Sequence, residues 1–160
     1  AIGIRTVDVS KSIDFLETLN FIEKKFAVIG QSGGGTTSTF SSALDERIDV
    51  AVISGYFCDS FESIFSLNHC ACNYVPGILK YLDIPDIVAL RAPKPTFIVS
   101  GEKDPIFPQD GVQSAYKKLK RAFDLFGKPE NLDIDVIKGA RHVFRGDLCY
   151  PFLEKHLKIN

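Results

Sequence analysis

The chain has 160 residues, of which 45% are apolar and 24% charged, and carries a net charge of −1. That is enough for one domain with a real core, and the composition is ordinary for a globular protein. No basic run suggests a nucleic-acid surface, and no apolar run approaches the roughly 18 residues of a membrane span.

Taken in order, Val9, Ile13 and Leu16 recur at helical spacing between about Arg5 and Leu19, with Asp8, Lys11, Ser12 and Glu17 on the other face. This predicts a surface helix packed on a sheet. The chain contains no methionine, and this first pattern opens without a helix start signal. The reading is a piece of a longer chain, so targeting segments are not legible. Compartment and oligomeric state stay open, with the cytoplasm slightly favoured.

Phe26–Ile29 is an apolar run too short for a helix, and it leads into Gly30-Gln31-Ser32-Gly33-Gly34. A short strand followed by a glycine-flanked serine fits a nucleophile elbow, G-x-S-x-G. Gly30 and Gly33 are expected to remove Cβ atoms that would crowd the serine on a strained strand-to-helix turn. The N–H of Gly33 is then the expected oxyanion donor, at a helix start whose dipole favours negative charge. A glycine-rich turn without chemistry is the alternative. A phosphate-cradling loop is disfavoured, because Thr36-Thr37 follow Gly35 and no Gly-Lys-Ser/Thr is present. The helix after Ser32 is rich in Gly, Ser and Thr, so tertiary packing must hold it.

Val50–Ile53 and Thr96–Val99 read as strands buried on both faces. Leu132, Ile134 and Val136 alternate with acidic residues and read as a strand near an edge. Asp110 to Phe126 predicts a helix with Val112, Ala115, Leu119, Ala122, Phe123 and Phe126 as its stripe, Asp110 as N-cap and Gly127 as stop. Asp147 is expected to cap a last helix. Strands alternating with helices predict a single α/β domain over residues 1–160, with a mostly parallel sheet of about four strands. Residues 56–92 break the rhythm and predict a helical excursion, either a lid over the site or an extra packing layer. Its aromatic residues Phe57 and Tyr74, with Gln31 beside the serine, are the expected substrate contacts.

A serine hydroxyl needs a base, and the base a third group to fix its tautomer. Of three histidines, His142 alone sits on a loop at the carboxyl ends of the predicted strands. His69 lies in the excursion and His156 in the last helix. Asp104 in Gly101-Glu102-Lys103-Asp104-Pro105 is the leading acid, with Glu102 second and Asp59 third; an Asx-type turn before Pro105 is the alternative role for Asp104. His69, Cys70 and Cys72 could approach a metal, but structural zinc sites favour wider C-x₂₋₄-C spacing, so no metal and no cofactor are expected. Cys70 and Cys72 are also poorly spaced for a mutual disulfide.

The chain order Ser32, Asp104, His142, each after a strand, is the order of the α/β-hydrolases. The chain resembles the C-terminal portion of that superfamily's dienelactone hydrolase and acetyl xylan esterase-like group. The resemblance is carried by the elbow, Asp45-Glu46-Arg47-Ile48, Cys72-Asn73-Tyr74-Val75-Pro76-Gly77, Gly101 to Pro108, and His142. It implies Ser32 as nucleophile, His142 as base and Asp104 as the acid. Where dienelactone hydrolases carry cysteine, Ser32 points to carboxylic esters, with a small-molecule ester as substrate. A serine peptidase or acyl-aminoacyl hydrolase of the same fold, and a non-catalytic fragment, remain alternatives. Members of the group also carry further strands before the equivalent of this opening helix, and a loop there gives half the oxyanion hole. These residues alone are therefore expected to be poorly soluble or partly unfolded and nearly inactive, with Phe26–Ile29 as an exposed sheet edge.

Overall fold

A computed structural model describes residues 1–158. Four strands, β1 (Phe26–Gln31), β2 (Ile48–Ser54), β3 (Thr96–Gly101) and β4 (Leu132–Ile137), form one sheet in the order β1-β2-β3-β4. Every neighbouring pair is parallel. The helices are α1 (Ile2–Glu17), α2 (Gly33–Leu44), α3 (Ile84–Ala89), α4 (Gln109–Leu125) and α5 (Cys149–Leu157).

Side chains alternate across the sheet, so each central strand supplies two cores. Val50 and Val52 of β2, with Phe97 and Val99 of β3, pack against Phe152 and Leu153 of α5. Ile53 and Ile98 point the other way, to Val88 of α3 and to Val112, Leu119 and Phe123 of α4. This two-sided burial explains the unbroken apolar runs of β2 and β3. At the β1 end, Ile13 of α1 closes a third cluster with Phe26 and Ile48. Arg47 ties α1 down from outside, with Nη1 2.8 Å from Asp14 and 2.9 Å from Glu17. The same guanidinium holds the Asp45 carboxyl well below the usual carboxylate range.

The weak helix former α2 is held by packing: Thr36, Ser38, Thr39, Ser41 and Ser42 are all buried. Small residues let the helix press on the sheet, and Gly30 shows how closely. A Cβ on Gly30 would lie 2.0 Å from the carbonyl oxygen of Gly34 and 2.6 Å from Oγ of Ser38.

Several expected boundaries shift. α1 begins three residues before Arg5, and α4 begins at Gln109, with Pro108 at the N-cap position and Asp110 inside the first turn. An acid there still complements the helix dipole. Gly127, at φ +64, stops α4 as expected, while Phe126 is 59% exposed and lies off the packed stripe. Asp147 does not cap α5: Leu148 takes the N-cap position without a side-chain cap. The turn is already begun by Gly146, whose carbonyl accepts from the N–H of Tyr150. β1 and β4 are the two edges, and Ile29 on β1 is 44% exposed.

Candidate active site

Ser32 sits between β1 and α2 at φ 55, ψ −115, a region that residues with a Cβ rarely occupy. Such strain costs on the order of 1–3 kcal/mol and persists only where its surroundings enforce it. Here the N–H of Ser32 donates to the carbonyl of Ser54 at the end of β2, at 2.9 Å. Its own carbonyl accepts from the N–H of Thr36, also at 2.9 Å, in the first turn of α2. The glycines that make room are Gly30 and Gly35, rather than Gly30 and Gly33. A Cβ on Gly35 would lie 2.6 Å from the Ser54 carbonyl, whereas one on Gly33 would meet only the end of Arg5, at 3.4 Å. Lack of space therefore does not explain the glycine at 33.

The loops after β3 and β4 interlock. Lys103 N–H donates to the carbonyl of Ala140 at 2.7 Å, and Glu102 N–H to that of Ile137 at 3.1 Å. The Glu102 carboxylate accepts from the N–H of Gly139 at 2.7 Å, so this second-choice acid fastens the histidine loop instead of facing His142. Gly101 allows the approach, since a Cβ there would stand 1.9 Å from the carbonyl oxygen of Arg141.

From these loops Oδ2 of Asp104 meets Nδ1 of His142 at 2.7 Å. The other carboxylate oxygen accepts from the N–H groups of Ile106, at 2.9 Å, and Phe107, at 3.3 Å. Asp104 thus makes the Asx-type turn and faces the histidine at once. Asp104 is 4% exposed, so the ring is paired with a desolvated carboxylate. Asp59, the third candidate, is occupied elsewhere, by Lys118 at 3.2 Å and the N–H of Phe61. His156 packs on Phe152 in α5.

Nε2 of His142 is buried, with no hydrogen-bond partner among the described residues, so no hydrogen bond joins it to Oγ of Ser32. The ring lies near the side chain of Gln31, the residue before Ser32, and does not line the cavity over the serine. Nε2 of Gln31 and Cε1 of His142 would both stand 2.8 Å from a Cβ placed on Gly55, which has φ +54. Catalytic hydrogen bonds commonly tighten only with substrate in place.

A cavity of about 300 Å³ opens over Ser32 and Gly33, walled by Thr36, Tyr56, His69, Asn73, Phe107 and Arg5. Its size is at the lower end for small-molecule sites. Two expected substrate contacts fall one residue away from this wall. Phe57 is 2% exposed within the core, and its neighbour Tyr56 lines the cavity. Tyr74 packs on Phe65 outside the cavity, and its neighbour Asn73 lines it. Gln31 accepts a short hydrogen bond from Oγ of Ser54, which turns its side chain toward the end of β2. Phe57 and Tyr74 lie outside any helix or strand, so no periodicity could have assigned their facing.

Burial pushes the Tyr56 phenol up to about 12, so it stays neutral around pH 7. Burial, and then the nearby His142, lower the pKa of His69. Arg5, in a helix first read for its packing, reaches the carbonyl of Gly33 at 3.5 Å. No group of three or more candidate metal ligands occurs among the described residues, so His69, Cys70 and Cys72 do not converge with a further ligand.

The fold has clear counterparts. A provisionally named acetyl xylan esterase from Bacteroides fragilis superposes with a TM-score of 0.80 at 19% identity, over 98% of this chain and 49% of that one. A glucuronoyl esterase from Caldicellulosiruptor kristjansonii gives 0.75 at 17% identity, over 96% and 49%. In sequence, the chain is 28% identical over 125 residues to YtaP of Bacillus subtilis (strain 168), a protein provisionally named a hydrolase. That match covers 76% of this chain and 42% of YtaP, so the chain spans about half the length of these relatives or less. The family model of the Abhydrolase family matches residues 10–147, and with four parallel strands, the elbow after β1 and this match over most of its length, the chain belongs to that family of α/β-hydrolases.

Proposed function

We propose that the chain carries the catalytic centre of a serine-dependent carboxylic ester hydrolase. Ser32 is the nucleophile, His142 the general base and Asp104 the residue that fixes the base. The carrying observation is the pairing of Asp104 with Nδ1 of His142 at 2.7 Å, at the same end of the sheet as a serine held at φ 55. Esterase names among the structural neighbours support the ester over other acyl substrates.

The geometry supports the following chemistry. With Nδ1–H donated to Asp104, Nε2 holds the lone pair and can take the proton of Ser32 as Oγ attacks the ester carbonyl. The carbonyl oxygen becomes an oxyanion, which the N–H of Gly33 at the start of α2 can receive. Collapse breaks the ester C–O bond, and the imidazolium returns its proton to the departing alcohol. Water activated by the same nitrogen then releases the acid from Ser32.

A fluorophosphonate probe should label Ser32, as located by peptide mass, and Ser32→Ala should abolish both labelling and p-nitrophenyl acetate hydrolysis. Labelling at another residue, or undiminished hydrolysis by Ser32→Ala, would sink this reading. Comparing an ester with the matching anilide separates esterase from peptidase.

A further inference from the structure

His142 is held at its edge by Asp104, but a hydrogen bond at one nitrogen leaves the plane of a ring free to tilt about that bond. What fixes the plane is the other product of the same turn. Asp104 accepts from the N–H of Phe107, and the Phe107 ring stacks on the His142 ring at 5.8 Å between centroids and 20° between planes. Phe107 is itself 3% exposed and braced on two further sides. Tyr56 meets it at 5.9 Å, and His69, from the residues between β2 and β3, meets it edge-on at 5.9 Å. Beside the imidazole, Gly55 leaves no room to spare, since a Cβ there would come within 2.8 Å of Cε1. Phe107 also lines the cavity over Ser32.

We propose that Phe107 is a positioning residue for the general base. The residues 104–107 deliver a carboxylate to one edge of His142 and an aromatic plane to its face, and together these set the direction of Nε2. The inference rests on the Ser32–His142–Asp104 reading for its kinetic consequence, but not for the geometry it asserts. Because His69 and Tyr56 brace Phe107, the segment between β2 and β3 takes part in holding the base as well as walling the cavity.

The test pairs kinetics with a signal that needs no turnover. Phe107→Leu removes the plane but little volume, and should lower kcat for p-nitrophenyl acetate by about tenfold or more with KM nearly unchanged. In the proton NMR spectrum, the low-field resonance of His142 Nδ1–H should shift or broaden. Phe107→Tyr, which keeps the ring, should restore both to near the parent. If Phe107→Leu fails to fold, Phe107→Met carries the same expectation. A low-field resonance and kcat both unmoved in the folded ringless variant overturn the inference. So does a ringless variant that raises KM alone, because the ring would then serve substrate binding. Absence of fluorophosphonate labelling at Ser32 in the parent protein overturns the esterase reading instead, and the Nδ1–H resonance still decides the role of Phe107.

Discussion

The two loops that follow β3 and β4 and the long segment between β2 and β3 meet at Phe107, which stacks on His142 and packs against Tyr56 and His69, but they are built differently. In the first region backbone groups carry the structure. Glu102, Lys103 and Asp104 each engage the histidine loop or their own turn, and Gly101 lets the two loops approach closely. The second region has one short helix, α3, and two 3-10 turns, and leaves Phe61, Phe65 and Tyr81 at least half exposed. Its backbone bonds are mostly local turns, and side chains add a capping box between Asp83 and Asp86 and a bond from Ser60 to Asp83. The contrast separates the loops that hold His142 against Asp104 from the segment that walls the cavity and braces Phe107. A base and its acid must be aligned to a fraction of an ångström, which favours loops locked by backbone bonds. A pocket wall needs shape, and side chains supply it.

The sharpest way to break this contrast is at Asp104. Asp104→Asn should keep the fold but cost on the order of 10³- to 10⁴-fold in kcat, because the amide can present the wrong hydrogen-bonding group to Nδ1. Steady-state kinetics with an unchanged melting midpoint would confirm it. A loss under tenfold would mean that Asp104 does not orient the base.

Next in size is Gly101→Ala. The added methyl would collide with the Arg141 carbonyl, and the collision is with backbone, which cannot rotate away. The expected cost is about 1–3 kcal/mol of stability, together with roughly a hundredfold fall in kcat as the histidine loop is displaced. Chemical denaturation and kinetics on one preparation would check both. A stable variant with full activity would show that the loops are not interlocked as described.

Gly55→Ala probes where the two regions meet. The position needs φ +54, and its new Cβ would press on Cε1 of His142. A fall of about tenfold in kcat is expected, with stability reduced by about 1 kcal/mol. An increase in KM with unchanged kcat would assign Gly55 to the pocket instead.

The same contrast explains what could be read from the residues alone. β2 and β3 announced themselves because both faces are buried, and the elbow because Gly30 and Ser32 obey a backbone constraint visible in the chemical sequence. Asp104 and His142 follow directly on strands, so topology alone put them at one end of the sheet. Phe57 and Tyr74 misled because the chain after Gly55 follows neither helical nor strand period, and a slip of one residue exchanges core for cavity. Glu102 and Asp104, two apart in one loop, could be ranked but not assigned. Their roles are divided by which of them meets Gly139 N–H and which meets Nδ1, a matter of three-dimensional reach.

The smallest effect is expected at Tyr81, the most exposed aromatic of the segment between β2 and β3 at 83%. Tyr81 packs into none of the three core clusters and does not line the cavity over Ser32. If this wall acts through its inward residues, Tyr56, His69 and Asn73, then Tyr81→Ser should shift stability by less than about 0.5 kcal/mol and leave kcat and KM for a small ester unchanged. A bulkier ester can report on more of the surface. An unchanged KM for p-nitrophenyl acetate with a raised KM for a long-chain or aryl ester would extend the substrate-binding face outward to Tyr81. Loss of activity toward both esters would instead mean that Tyr81 supports the folding of the segment despite its exposure, and the division between interlocked loops and pocket wall would fail.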